Sequence, residues 1–160
     1  MSITARLRRY QMLAFIGLGS MIANPTAEAD DTFRRSAQQI NEANTALANQ
    51  DFDTAISGYE AAAQSESTRD EATYNKAIAL YRKGEVEKAG NLFASVAASL
   101  KDELAAKARF NAGNCHFAAA IEMQQTQPAI AIEHLHAAIE DYRSALSLAP
   151  TDNDARMNIE

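Results

Sequence analysis

The chain has 160 residues and a formal net charge of −6, from 15 basic and 21 acidic side chains. A chain that is acidic overall, with its basic residues scattered, repels phosphate backbones, and this argues against nucleic acid as a partner. Its single cysteine, Cys115, allows no internal disulfide, and its length is enough for one domain with a core of its own.

The amino-terminal segment, from Met1 to Ala29, has the three parts of a secretory signal. Arginines at positions 6, 8 and 9 precede an apolar run over residues 12–23, and Ala27-Glu28-Ala29 follows. The apolar run is shorter than the roughly 20 residues that span a bilayer, so cleavage near Ala29 is favoured over an uncleaved anchor. The general secretory route fits better than twin-arginine export, because Tyr10-Gln11-Met12 follows the arginine pair. We therefore expect an exported, periplasmic or otherwise extracytoplasmic protein.

The mature region, residues 30–160, keeps 12 basic and 20 acidic side chains, a net charge of −8. Its clearest unit runs from Asp70 to Lys101, where apolar residues at helical spacing stop at Gly84 and then resume. That pattern predicts two helices joined by a turn. Thr68, with Glu71 three residues later, has the form of a capping box at the start of the first helix.

Related sequence recurs on both sides of this unit. The segment that begins at Phe52 aligns with the one that begins at Val86. Tyr74-Asn75 aligns in the same way with Phe110-Asn111. Both offsets are close to a period of about 34 residues, and paired helices at that period indicate a solenoid of helical hairpins.

This pattern resembles the tetratricopeptide repeat (TPR) family. In that family small residues stand where the two helices of a hairpin cross, and an aromatic residue stands near the middle of each second helix. The matching small residues are Ala43, Ala77, Gly113, Ala55, Ala89 and Ala138, and the matching aromatic residues are Tyr59, Phe93 and Tyr142. Pro150 stands at the family's closing proline. The resemblance implies an all-α fold, an α-α superhelix (TPR solenoid) of about three helical hairpins plus a partial fourth.

The repeats are expected at about 33–67, 68–101 and 102–150, with a partial fourth at 151–160. The third hairpin is longer than the family's standard unit by about 13 residues. Pro128 marks its turn, which predicts helices over about 103–125 and 128–148 that project beyond the other hairpins. Apolar residues available to pack this projection, or to meet a partner if exposed, are Ile121, Met123, Ile130, Ile132 and Leu135.

In TPR proteins the concave face of the first helices lines the binding groove. Apolar side chains seven residues apart share one face of each first helix here, with polar side chains around them. The predicted partner-binding groove consists of Ile40, Asn44, Leu47, Tyr74, Asn75, Tyr81, Arg82, Lys107, Phe110, Asn111, Asn114 and Phe117. The alternative is that these apolar pairs only seal neighbouring first helices together.

Two narrower resemblances concern the partner. The two-carboxylate clamp of chaperone-binding TPR proteins is matched at Asn44, Asn75 and Lys107, with Ile40 and Asn111 where the clamp has a lysine and an arginine. Several segments are similar to the TPR proteins of the bacterial Bat group (named for Bacteroides aerotolerance), whose members accompany membrane proteins with von Willebrand factor A domains. These segments are Tyr81-Arg82-Lys83-Gly84, Arg109-Phe110-Asn111-Ala112-Gly113-Asn114 and Pro150-Thr151-Asp152-Asn153-Asp154-Ala155-Arg156-Met157-Asn158.

Residues with catalytic or metal-binding chemistry are few. His134 and His136 point about 200° apart on a helix and cannot share one metal. His116, beside Cys115, has no evident third ligand, and there is no Gly-rich phosphate loop or serine elbow. We therefore expect no catalytic residues, no cofactor and no metal.

The function expected from the sequence is that of a non-catalytic, exported protein–protein interaction adaptor or scaffold. It would bind a peptide or a partner protein in the concave groove, with a membrane-anchored von Willebrand factor A domain protein as a candidate partner. The alternative is an assembly or oligomerisation element that acts through the elongated third hairpin and the carboxyl-terminal helix, in which case self-association is expected. Fold analogy alone does not choose between the two.

Overall fold

The computed structural model describes residues 25–159, which form seven helices and no strands. They are α1 (Pro25–Ala48), α2 (Phe52–Ala62), α3 (Arg69–Lys83), α4 (Val86–Val96), α5 (Asp102–Met123), α6 (Pro128–Leu148) and α7 (Asn153–Met157). Each helix packs mainly against its neighbours in sequence, so α1–α2, α3–α4 and α5–α6 are successive hairpins and α7 docks on α6. This is the all-α helical repeat that the sequence predicts. Most of the predicted signal segment, residues 1–24, lies outside the described residues.

The turns of the first two hairpins follow one plan. Gly84 ends α3 with a φ of 92°, a left-handed conformation that glycine adopts at little cost. Gln50 takes the equivalent place after α1, with a φ of 61°. Asp51 then caps α2, because its side chain accepts a hydrogen bond from the Thr54 backbone N–H at 3.2 Å.

The predicted capping box at the start of α3 is wrong. Thr68 is the residue before α3, but its hydroxyl makes no bond to the helix that follows. It donates instead to the Ala62 carbonyl at 2.8 Å, and Thr68 is buried there. The end of α2 has carbonyl groups without helical partners, and a buried carbonyl without a hydrogen bond is costly. The Thr68 hydroxyl therefore joins two hairpins rather than capping one helix.

The small residues predicted at the helix crossings are buried. Ala43, Ala77, Gly113, Ala55, Ala89 and Ala138 all lie in the interior. The approach is closest at two glycines. A Cβ added to Gly58 would lie 2.9 Å from the Ala43 Cβ, and one added to Gly113 would lie 2.7 Å from a Tyr142 ring carbon. These helices pack backbone to side chain at distances that larger residues would not permit.

The aromatic residues of the second helices are also buried. In the first and third hairpins this residue is a tyrosine, and an asparagine on the first helix accepts a hydrogen bond from its hydroxyl group. Tyr59 donates to the Asn44 side-chain oxygen at 2.6 Å, and Tyr142 donates to Asn114 at 2.9 Å. The second repeat has Phe93 at this place, which has no hydroxyl group, and Ile78 at the place of the asparagine. A buried hydroxyl needs a partner, so tyrosine occurs with asparagine and phenylalanine with isoleucine.

The third hairpin is elongated as predicted, with α5 ending at Met123 and α6 beginning at Pro128. The Gln127 backbone N–H donates to the Met123 carbonyl at 2.8 Å across this turn. At the other end of the chain, α1 begins at Pro25 rather than near Phe33, where the first repeat was expected to begin. An Arg34–Asp30 ion pair at 2.7 Å lies within these added turns.

None of the helices within residues 25–159 combines the length and the apolarity that crossing a membrane requires.

The pairing of tyrosine with asparagine predicts the effect of adding a hydroxyl group in the second repeat. Phe93→Tyr should lower the free energy of unfolding by about 1–3 kcal/mol, because the new hydroxyl would meet Ile78 and find no acceptor. The double variant Phe93→Tyr/Ile78→Asn should recover much of that loss. Urea unfolding of the three chains measures both effects. A single variant as stable as the parent would show that this position does not enclose the hydroxyl.

Gly113 and Gly90 form a matched pair for the close helix crossing. Gly113→Ala should be destabilised by about 1–3 kcal/mol, because the added Cβ would lie 2.7 Å from the Tyr142 ring, which is also packed against Phe110. Gly90→Ala is the control, since its added Cβ would come no closer than 3.3 Å to the Cys115 Cβ. Thermal melting should show a clear drop for the first variant only; equal melting temperatures would contradict the crossing as described.

Candidate functional site

The first apolar side chain of each seven-residue pair belongs to the core. Ile40 is only 6% exposed and lies in one buried cluster with Tyr59. Tyr74 packs edge-on against Phe93 with ring centroids 5.5 Å apart. Phe110 packs against Tyr142 in the same way, at 5.6 Å. This half of the predicted face therefore joins each first helix to its own second helix.

The side chains seven residues further along each first helix are more open to solvent. Leu47 is half-buried, Tyr81 is 38% exposed, and Phe117 is 49% exposed. Arg82, next to Tyr81, is also exposed. The first side chain of each pair thus packs on its own second helix, and the second side chain keeps part of its surface in solvent.

A cleft of about 340 Å³ opens between α3 and α5. Three of the predicted groove residues, Tyr74, Asn75 and Lys107, line it together. The other lining residues are Glu71, Lys101, Glu103 and Leu104. The cleft has two lysines and two glutamates, so its charges balance.

Lys107 is already engaged within the chain. Its ammonium donates to Glu103 at 2.6 Å, and this contact raises the pKa of Lys107 and lowers the pKa of Glu103. Both side chains are exposed, so solvent screens the pair. A carboxylate entering the cleft would have to compete with Glu103 for this lysine.

A hydrogen-bonded chain of polar side chains connects the two first helices at the cleft. The Asn111 amide donates to the Tyr74 hydroxyl at 3.0 Å and also to the Lys107 carbonyl at 2.9 Å. Burial raises the pKa of Tyr74, so its hydroxyl keeps its proton. Because that hydroxyl accepts from Asn111, its own O–H is available to donate to a ligand. Asn114, next to Asn111 on α5, accepts from Tyr142.

Asn44 lies on α1, the first helix of the neighbouring hairpin, and is exposed. Its side-chain oxygen is occupied by the Tyr59 hydroxyl, which leaves the amide N–H group for other contacts. The structure thus brings Tyr74, Asn75, Lys107 and Asn111 into one small area. Asn44, Tyr81 and Arg82 lie outside the lining of the cleft, and Ile40 is interior.

The structure also contains a histidine pair that the sequence analysis missed. His116 on α5 and His134 on α6 approach with their Nδ1 atoms 3.0 Å apart, and the ring centroids are 5.3 Å apart. One ring must carry the proton and donate it to the other. The two positions lie at equal distances in sequence on either side of Gln125, at the tip of the hairpin, and that symmetry is the signal that could have found the pair.

Cys115 sits between Asn114 and His116 and is buried. Burial, with a smaller contribution from the nearby Asp141 carboxylate, raises the pKa of its thiol to about 12. The thiol therefore stays protonated and packs as a small apolar side chain. Within residues 25–159, histidine, cysteine and carboxylate side chains form no group of three able to hold a metal ion.

A second cleft, of about 520 Å³, lies between α2, α3 and α4 on the side of the second helices. Lys83 bridges Asp53 at 2.7 Å and Glu85 at 2.9 Å, and Lys88 meets Glu85 at 2.6 Å. The contacts with Lys88 and Lys83 lower the pKa of Glu85 to about 2. Ile56, Leu80 and Leu92 also line this cleft. The lysines that line this cleft are paired with carboxylates. The cleft therefore joins the first two hairpins and does not present an unpaired positive charge to a ligand.

Comparison with known proteins bears on the repeat rather than on the site. Residues 40–102 match the model of the tetratricopeptide repeat family. The matched segment begins within α1 and ends where α5 begins, so it contains the crossings and turns of the first two hairpins but not the third hairpin. No curated protein was found to match the chain. The match and the helical hairpins together show tetratricopeptide repeats over residues 40–102, within an all-α superhelical fold.

Proposed function

We propose that this protein is a non-catalytic adaptor that binds an extended peptide, or an extended segment of a partner protein, across the first helices α3 and α5. TPR domains in general bind protein partners. The observation that carries the proposal for this chain is the cleft between α3 and α5, where Tyr74, Asn75 and Lys107 meet. It lies on the face that first helices present in a helical solenoid, which is the usual binding face of such folds.

The chemistry of the cleft favours a peptide backbone over a charged chain terminus. Its lysines are balanced by glutamates, and Lys107 is held by Glu103. Asn75 offers both an amide donor and a carbonyl acceptor, and the Tyr74 hydroxyl offers a donor. These groups match the alternating N–H and C=O groups of an extended chain. Exposed Tyr81 adds an aromatic surface for one side chain of the ligand.

The proposal includes export and a membrane-associated partner. The basic, apolar and small-residue parts of residues 1–29 support export. Loss of residues up to Ala29 should leave the interior intact, since the described side chains of residues 28–35 are exposed and Ser36 is the first buried one among those described. The similarity of several segments to Bat-group TPR proteins supports a membrane protein with a von Willebrand factor A domain as the partner.

Amino-terminal sequencing tests the export proposal. In a Gram-negative host the mature chain should begin at Asp30 and fractionate with the periplasm. The unprocessed chain should melt at the same temperature as a chain expressed from Asp30 onward, because the described side chains before Asp30, those of Glu28 and Ala29, are exposed. A chain that keeps Met1 and remains in the cytoplasm would contradict export, but it would not contradict the adaptor proposal.

Site-specific crosslinking tests the binding face. A photoreactive phenylalanine analogue at Asn75 or at Tyr81 should capture the partner in cells, because both side chains lie on the proposed face. The same analogue at Glu87, which is exposed on α4 on the second-helix side, is the matched control and should capture much less. Mass spectrometry of the crosslinked product identifies the partner.

A second arm separates binding from folding. Tyr81→Ala should weaken partner capture and lower the melting temperature less than Tyr74→Ala does, because Tyr81 is 38% exposed whereas Tyr74 packs on Phe93. Tyr74→Ala should instead lower the free energy of unfolding, by about 3 kcal/mol or less, because the ring packs on Phe93 and its hydroxyl bonds Asn111. Equal capture from Glu87 and Tyr81 would place the binding surface elsewhere.

A further inference from the structure

The two helices of the third hairpin are joined by a histidine pair that the proposed adaptor function does not use. His116 on α5 and His134 on α6 bring their Nδ1 atoms within 3.0 Å of each other. The ring centroids are 5.3 Å apart, about the largest separation that this contact between ring atoms allows, so each nitrogen points directly at the other. That is the geometry of a single hydrogen bond, with one N–H group and one lone pair on the same line.

This bond lies where few other contacts hold α5 against α6. Between the two histidines, along the chain, the buried side chains are Ala120 and Ala131, and alanine buries little apolar area. The other side-chain hydrogen bond between these two helices, which Tyr142 donates, lies nearer their base. Segments with few buried apolar contacts are those that open locally in folded proteins. The histidine bond is therefore well placed to control the outer turns of the hairpin.

The charged groups around the pair are unevenly distributed. The Asp141 carboxylate on α6 lies 3.8 Å from Nε2 of His116, the ring nitrogen that the histidine bond does not use. Burial raises the pKa of Asp141, and the charges of His116 and Arg109 on α5 oppose that rise. Among the described residues, no charged side chain of α3, α4 or α7 forms an ion pair with either ring. A first added proton is therefore stabilised on His116, the ring with a carboxylate beside it.

The bond survives one added proton but not two. With one, His116 donates from Nδ1 to the lone pair of His134 and directs its other N–H group toward Asp141. With two, both Nδ1 atoms carry hydrogen, so neither ring offers a lone pair and two positive charges face each other. Histidine changes its charge between about pH 5 and pH 8. The second proton thus replaces attraction by repulsion within a range that folded proteins experience.

From this geometry we propose that His116 and His134 form a pH-sensitive latch, which is closed at neutral pH and released in acid once both rings are charged. Its contribution to closure is present at neutral pH and is lost as the pH falls. Release loosens the outer turns of α5 and α6. The crossing at Tyr142 stays packed, because burial raises the pKa of Tyr142 and its hydroxyl remains uncharged. The inference does not rest on the proposed function of the α3–α5 cleft.

Hydrogen exchange of the purified chain, measured by mass spectrometry, tests the latch. Between about pH 7.5 and about pH 5, the amides of residues 117–133 should lose protection about tenfold, roughly the loss of one hydrogen bond, after correction for the intrinsic effect of pH. The amides of α3 and α4, which contain no histidine, should lose much less. Equal protection of the outer turns at both pH values would overturn the inference, as would an equal loss throughout the chain.

Matched variants separate the latch from other titrating groups. His134→Gln and His116→Gln each remove one titrating partner, so their outer turns should not lose protection in acid. His136→Gln is the control, because His136 is exposed and only two residues from His134. It should keep the tenfold loss, and so should Asp141→Asn, which removes the nearby carboxylate. Circular dichroism should show that all four variants are folded.

Two outcomes with these variants would contradict the latch. One is a loss of protection in acid that persists in both His134→Gln and His116→Gln, because the response would then arise elsewhere. The other is a response abolished as fully by His136→Gln or by Asp141→Asn as by His134→Gln, because a different group would then be the one that titrates.

Discussion

The structure depends on the close crossing of two helices around one buried aromatic ring. In each hairpin the second helix contributes that ring, Tyr59, Phe93 or Tyr142, and the first helix contributes a small residue that lets the backbones approach. The ring of Tyr142 lies so close to Gly113 that no side chain fits between them. Because helices as short as α2 and α4 are marginal in water by themselves, both depend on this packing for their stability.

The same crossing decides which part of each first helix is free to bind. The side chains near the start of the helix pack on the buried ring, as Tyr74 packs on Phe93 and Phe110 on Tyr142. Those two turns later lie beyond the ring and keep much of their surface in solvent. An apolar side chain therefore stabilises the fold at one position and is available to a ligand seven residues further along. Substitutions at the two positions should have opposite signatures, loss of stability or loss of binding.

The third hairpin has longer helices than the standard repeat, but its two helices cross in the same way. The added turns of α5 and α6 keep helical spacing up to the tip, and the histidine pair joins them above Tyr142. What the added length lacks is a neighbouring repeat within the described residues to cover its side. The apolar residues there remain exposed because stacking, rather than hairpin formation, buries that face in a solenoid. The length of one hairpin thus creates a surface that the standard repeat does not have.

Sequence by itself determined the elements and their pairing. The repeat period, Gly84 and Pro128 placed the helices and turns, and the small residues marked the crossings, because these features depend on local chain geometry. It also placed Tyr74, Asn75 and Lys107 on the first-helix face, since successive first helices lie side by side in a solenoid of helical hairpins. These features can be predicted from the sequence because they recur from one repeat to the next.

Only the tertiary structure decided what depends on distances between helices. The Thr68 hydroxyl could accept from the Glu71 backbone N–H as a cap, but it donates to the Ala62 carbonyl at the end of α2 instead. Burial of Ile40 and exposure of Tyr81 follow from how far each neighbouring helix extends, a quantity that spacing within one helix does not contain. The pairing of His116 with His134, and the engagement of Lys107 by Glu103, likewise require the positions of side chains in three dimensions. A repeat pattern specifies which residues can meet, and packing then selects among them.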